Sequence, residues 1–525
     1  MENNRLEPRP VGSGVRIILP TVVGILTGIF MLSVVPLYFH DGFFDINRAK
    51  VSLMLTVIPY LMVVMGLTLL IMPRKGEVFT GFPWHLLVPM LLFLAACTVS
   101  SALRGFEDAV LTGSEGRYGG LYFILAVTAA FVGIALGRSN GILVTVLFLI
   151  SSTVIAMLGC VNALGVDPLG FYVNMREDQI PAFLSTIGHF DFYGTVLLLP
   201  AAVAYGVSVK GKHFLIRLVS CLLAAVLTIG AYAARTDSVW IGMCLIGYSL
   251  FFLSGEDRRY MYRALLMISI MVILFPVATY FMKAYSLHNL SFSGMYTLID
   301  FRKGGEMTAI FAILAFIGLM LERHGVPAPG FKRLAMLGLI LFLVAAIVTA
   351  GLVVYATGTT DDNALFGLAP QLRMDDNFGS RRGYIWARSI RAFMAASPLE
   401  KAFGQGMELT KRITRPFIES TQEEQLSGGT YNDTHCQPLQ LLLTCGIFGM
   451  AMYLIHFVLL FFAVRCYAAK DAIMTGITVA MAGYFGIMLI NVTQPILLTV
   501  YFALGAVGVA RVALLRTQPS VESKN

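Results

Sequence analysis

Charge is what this chain has least of. Only 13% of its 525 residues are Asp, Glu, Lys or Arg, against about 25% in ordinary soluble domains. With 57% hydrophobic residues and a mean hydropathy of +0.77, that scarcity excludes a soluble globular chain. The net charge of +8 marks no nucleic-acid surface, because the Lys and Arg residues punctuate loops. The seven cysteines are scattered, mostly inside apolar runs, without CxxC spacing, which excludes a zinc site and a disulfide framework. No Walker loop, Rossmann fingerprint or Ser/His/Asp hydrolase motif stands in a credible context, and no internal repeat is evident.

What the chain has instead is a succession of apolar runs, each of the roughly 20 residues that cross a bilayer as a helix. About fourteen such spans are predicted, near 16–38, 51–72, 84–103, 118–137, 142–164, 190–208, 215–234, 238–254, 264–285, 306–322, 334–356, 438–464, 473–490 and 496–514. The fold class is therefore all-α, a polytopic integral membrane protein. The first run lacks a small-residue cleavage site behind it and reads as a retained span. One set of loops carries Arg74-Lys75, Arg138, Lys210 and Lys212, Arg258-Arg259, Lys332-Arg333, Arg465 and Lys470, and the terminal Arg516. By the positive-inside rule this set is cytoplasmic, and both termini lie on the cytoplasmic side of the cell membrane. Three regions follow: 1–357 with eleven spans, a large extracytoplasmic loop over 358–437, and 438–525 with three spans and a short tail.

The chemistry-bearing residues gather at the outer loops. The 358–437 interval holds the longest hydrophilic stretch. In it, Arg381 and Arg382 open a run with helical periodicity, where Ile385, Trp386, Ile390, Phe393 and Met394 share one side and Arg388 and Arg391 another. Such a helix is expected to lie at the membrane interface with Trp386 as anchor, capped by Gly379 or Ser380 and ended by Ser397-Pro398. Arg382 would then sit in the first turn, where free backbone N–H groups favour an anion; the alternative is that both arginines meet only lipid headgroups. Arg235 stands in a very short outer loop, either snorkelling to the surface or paired with Asp237, or else facing a cavity in which it binds an anion. His435 stands two residues after Asp433, where a carboxylate orients an imidazole for proton transfer, or else serves structure alone. The doublets Asp361-Asp362 and Asp375-Asp376 read as solvent-facing pairs ahead of a metal site.

At these residues the chain resembles the O-antigen ligase-like superfamily. GSRRGYIWARSIRAFMAASPLEKAFGQG is similar to its SGRxxIWxxAxxxxxxxPLxGxG block, and NDTHCQPLQLLLTCGIFGM to its HNxYLQLLxxxGIxGL block. These register Arg382, His435, Gln440 and Gly446. GHFDFYGTVLLLPAA and NVTQPILLTVYFALG look like weaker span-opening and closing segments. Two departures stand out: Trp240 aligns with the family's SRGAWLG tryptophan, which leaves Arg235 two residues early, and Cys436 replaces the common Asn. Arg117 lies where relatives often carry an arginine before a Gly-rich span start.

The resemblance implies transfer of a glycan from a polyprenyl-diphosphate carrier to a glycan, lipid or protein acceptor at the outer membrane face. It assigns His435 as base and Arg382, Arg381, Arg235 and Arg117 as residues around the diphosphate, with no metal or cofactor. Polymerisation of polyprenyl-linked repeat units is a second reading of the same chemistry. A transporter or lipid flippase is the alternative from another class, disfavoured by the large outer loop and the missing inverted repeat.

Overall fold

Apolar length decides most of this architecture. The structure, a computed structural model, describes residues 12–40, 46–71, 82–114, 117–255, 257–288, 290, 292, 296, 301–324, 331–367, 369–376, 378–418, 431–469, 471–491 and 494–517. Arg74, Lys75, Lys470 and most of the C-terminal tail lie outside the described residues, as does much of the second half of the outer loop. In chain order the principal helices are α1 (Gly12–Ile29, carried on through a π-helical turn, Phe30–Val34, to Leu37), α2 (Ile46–Ile71), α3 (Trp84–Ala102) and α4 (Leu121–Leu136). Next come α5 (Ile142–Ala163), α6 (Phe190–Lys210), α7 (Phe214–Ala233), α8 (Asp237–Ser254), α9 (Arg258–Tyr285), α10 (Phe301–Arg323) and α11 (Phe331–Gly358). The outer loop contributes α12 (Phe378–Ala395), α13 (Pro398–Phe403) and α14 (Thr410–Thr414), and the chain ends with α15 (Gln437–Ala468), α16 (Ala472–Ile490) and α17 (Pro495–Thr517).

The protein is thus an all-α, multi-pass membrane protein. Among the described residues, 11 helices are long and apolar enough to cross a membrane. The three other predicted spans also fall on helix. At 16 residues, α4 reaches only about 24 Å, short of a hydrocarbon core of about 30 Å. The described apolar stretches of α10 and α11 are shorter still.

The centre of the bundle is α6, α16 and α17, whose apolar windows are 89%, 72% and 94% buried. In lipid no hydrophobic gradient draws helices together, so small residues must allow backbone approach. Gly206 of α6 and Gly476 of α16 do this: a Cβ on Gly206 would meet the Gly476 Cα at 2.4 Å. The only paired strands among the described residues are β1 (Phe183–Leu184) and β2 (Gly188–His189), an antiparallel hairpin ahead of α6. The hairpin tip is buried. Ser185 N–H donates to Asn162 Oδ1 at 2.8 Å, and the Thr186 hydroxyl to the Pro36 carbonyl at 2.8 Å.

The break in α15 positions the outer loop. Gly446 has φ 70° and ψ −175° inside that helix, a region open essentially to glycine alone. The kink frees carbonyls: Gln405 N–H donates to Leu443 O at 2.9 Å, and the Ser100 hydroxyl to Thr444 O at 2.5 Å. Ser100 in turn accepts from Gly406 N–H at 3.0 Å. Arg104 adds bonds to Gln405 O and Glu400 at 2.7 and 2.9 Å. Ser397 caps α13 with Glu400 in a reciprocal capping box, so the Ser-Pro pair predicted to end one helix also starts the next.

Candidate functional site

His435 sits in the turn leading into α15, and its backbone is held from three sides. Asp433 Oδ1 accepts the His435 backbone N–H at 2.9 Å and lies 3.5 Å from the ring Nδ1. Thr434 N–H donates to Gln440 Oε1 at 3.2 Å, and Gln440 Nε2 to the Thr410 hydroxyl at 2.6 Å. Trp386 Nε1 donates to Thr434 O at 2.8 Å. This last bond joins the two sequence blocks that carry the resemblance and brings α12 against the His435 turn. His435 has φ 48°, an uncommon conformation for a non-glycine residue and one that clusters at functional sites.

Arg382 follows an irregular first turn, in which Gly379 and Arg381 have φ of 56° and 70°. Its Nε donates to Ile490 O at 3.0 Å, at the end of α16, and one Nη to Gly379 O at 2.7 Å. Among the described residues it meets no carboxylate. Arg381 is exposed.

The expected apolar stripe of α12 is divided. Ile385 is buried and Trp386 and Phe393 are half-buried, but Ile390 and Met394 are exposed. Arg388, expected on a polar face, is 5% exposed, stacked 3.8 Å above the Tyr384 ring and paired with Asp376. The reason is that Asp376 offers a partner for a buried guanidinium, which periodicity along one helix does not register. Trp386 accordingly anchors α12 to protein through Thr434. Of the other acidic residues, Asp362 pairs with Arg373 and Asp361 caps a turn. Among the described residues no group of three or more His, Cys, Asp or Glu side chains is arranged to hold a metal.

Arg235 occupies the tight turn between α7 and α8 with φ 58° and is 6% exposed. One Nη donates to Pro181 O at 2.6 Å, the guanidinium lies 5.7 Å from the Phe190 ring centroid, and Nε is buried without a partner. It forms no pair with Asp237. Burial lowers its pKa to about 10, which leaves it charged at neutral pH. A buried cation facing a carbonyl and a ring keeps donor capacity to spare. Phe190 stacks on His189 at 4.3 Å. Burial lowers the His189 pKa; Asp191 opposes this, His435 adds to it, and Asp433 opposes it. Phe190 and His189 thus lie between Arg235 and His435.

Arg117 precedes α4 and is 5% exposed. Its Nε donates to Glu408 at 2.9 Å and an Nη to Asp433 at 2.7 Å. Burial opposes ionisation of Asp433, but Arg117 and then His435 outweigh it and hold the carboxyl below its usual range. Glu408 and His189 escaped the sequence reading. Glu408 is one acid in a wet loop, and its partner is 291 residues away. His189 lies in the GHFDFYG segment, whose position ahead of α6 was the only signal available.

The helical bundle thus carries a polar cluster of arginine and histidine side chains at the ends of its helices. Residues 292–454 match the O-antigen ligase family. The match runs from before α10 into α15, includes Arg382 and His435, and supports the resemblance to the O-antigen ligase-like superfamily, whose members are membrane enzymes of the glycosyltransferase and ligase type. A comparison with curated proteins gave no significant match.

Proposed function

We propose that the protein transfers a glycan from a polyprenyl-diphosphate carrier to an acceptor hydroxyl or amine at the outer face of the cytoplasmic membrane. The observation that carries this reading is the Trp386–Thr434 bond at 2.8 Å, which seats the helix of Arg382 against the turn of His435. The chemistry needs little else. His435, oriented by Asp433, takes the proton of the acceptor as its oxygen or nitrogen attacks the sugar anomeric carbon. The bond from that carbon to the diphosphate oxygen breaks, and polyprenyl diphosphate leaves as an anion. Arg382 and Arg235, neither bonded to a carboxylate among the described residues, stabilise the developing negative charge; Arg381 meets the diphosphate from the exposed first turn of α12. Apolar helix faces accommodate the polyprenyl tail among membrane lipids. No cofactor takes part, and both termini lie in the cytoplasm.

The test is incubation of purified protein with polyprenyl-diphosphate glycan, with and without acceptor, in buffer containing EDTA. Acceptor-dependent release of free polyprenyl diphosphate is expected. Release that ignores acceptor, or that needs added divalent cation, contradicts the reading. Supplying acceptors that are themselves carrier-linked separates polymerase from ligase.

A further inference from the structure

We propose that Arg117 is a positioning residue that fixes Asp433 beneath His435 by bridging it to Glu408. The inference rests on the assignment of His435 as base and departs from the expectation that Arg117 grips the diphosphate. Its guanidinium is already engaged by two carboxylates, at 2.9 and 2.7 Å, whose side chains are 9% and 14% exposed. The Ser114 hydroxyl also donates to Glu408 at 3.3 Å. Behind Arg117 lies a cavity of about 30 Å³, shared with Gln440, Thr444 and Tyr453. That is room for water and too little for a diphosphate. A phosphate reaching Arg117 would have to displace a buried carboxylate and leave it unpaired, which is strongly unfavourable.

The bridge solves a specific problem. Three segments distant in sequence meet here with strained backbones: Tyr118 has φ 59°, Glu408 φ 56° and His435 φ 48°. Such conformations persist only where surrounding contacts over-determine them. With its two-pronged donor Arg117 ties all three together, and lysine cannot reproduce that geometry. Among the described residues, Asp433 on its own segment and His189 at the start of α6 act on His435 directly, while Arg117 and Glu408 reach it through Asp433 and Asp191 through His189. The bridge holds the charge beneath the imidazole in one place.

Charge-altering variants therefore give opposite, compensating effects. Arg117→Gln makes the cluster one unit more negative, so the acid limb of the pH–rate profile should move up by about one pH unit. Turnover should fall about tenfold or more while the donor KM stays within about twofold. Glu408→Gln should move the limb the other way, and the double variant should return it toward wild type. Arg117→Lys keeps the charge, so its limb should stay in place while turnover falls. A raised donor KM with an unmoved limb in Arg117→Gln would assign Arg117 to the diphosphate and overturn the proposal. If Arg117→Gln does not accumulate, the Glu408→Gln limb decides alone: an unchanged limb contradicts the bridge. The pH dependence of His435 modification by diethyl pyrocarbonate, read by mass spectrometry, reports the same shifts without turnover. The parent reading fails separately, through a fully active His435→Ala.

Discussion

Replacing Gly446 by alanine probes the device that docks the outer loop. At φ 70° and ψ −175° any side chain meets backbone strain of about 1–3 kcal/mol. The added Cβ would also lie 2.4 Å from Ala402 O and 2.5 Å from Phe403 N, and relieving such overpacking costs a further ~1–3 kcal/mol. The sum, about 2–6 kcal/mol, is a large share of typical folding stability. If α15 straightens to escape the strain, the Leu443 and Thr444 carbonyls withdraw from Gln405 and Ser100, and α13 loses its seat. Thermal unfolding in detergent, followed by intrinsic fluorescence, should show Tm lowered by about 5 °C or more, together with loss of transfer. Gly66→Ala is the matched control, since its Cβ would meet nothing within 4 Å in α2 and should leave Tm unchanged or slightly raised. Wild-type Tm and activity in Gly446→Ala would refute the claim that the kink holds the site together.

Three further outcomes follow from the same geometry. Trp386→Phe removes the donor to Thr434 O, worth about 1 kcal/mol as a hydrogen bond and more if the carbonyl is orphaned; turnover should fall about tenfold with donor KM little changed, and an unaltered rate would separate α12 from the His435 turn. The Asp433 carboxyl is held below its usual range, so its stabilisation is present at neutral and mildly acidic pH and lost only as pH falls through that lowered value. The Tm gap between wild type and Asp433→Asn should thus persist down to about pH 5, and a gap closing near pH 6 contradicts the assigned shift. Finally, Asn363→Cys in a background without native cysteines should react with a membrane-impermeant maleimide on intact cells, after permeabilisation of any outer membrane; labelling only after lysis would reverse the topology.

Apolar runs made the bundle legible, because crossing a bilayer imposes length and composition on each helix separately. That information is local, and α4, α10 and α11 show its limit where length or described apolar stretch falls short. Arg382 and His435 were legible through motifs, and Arg235 through a charge next to apolar sequence. The sequence could not reveal what each arginine faces. Arg117 meets partners 291 and 316 residues away, and Arg388 turns inward onto Tyr384 with Asp376 there to receive it. The left-handed backbones of Arg235, Arg381 and His435 carry no glycine or asparagine signature to announce them.

If Arg382 and His435 divide the work of the transfer, acceptor-dependent release of polyprenyl diphosphate by well-expressed variants separates the two. Arg382→Ala and Arg382→Lys should both lose about 10²-fold or more in turnover, since lysine lacks the planar fork, and raised pH should rescue neither. His435→Ala should lose about 10²–10⁴-fold, with part recovered at higher pH or with a more acidic acceptor nucleophile. His435→Ala transferring glycan at the wild-type rate would contradict the account.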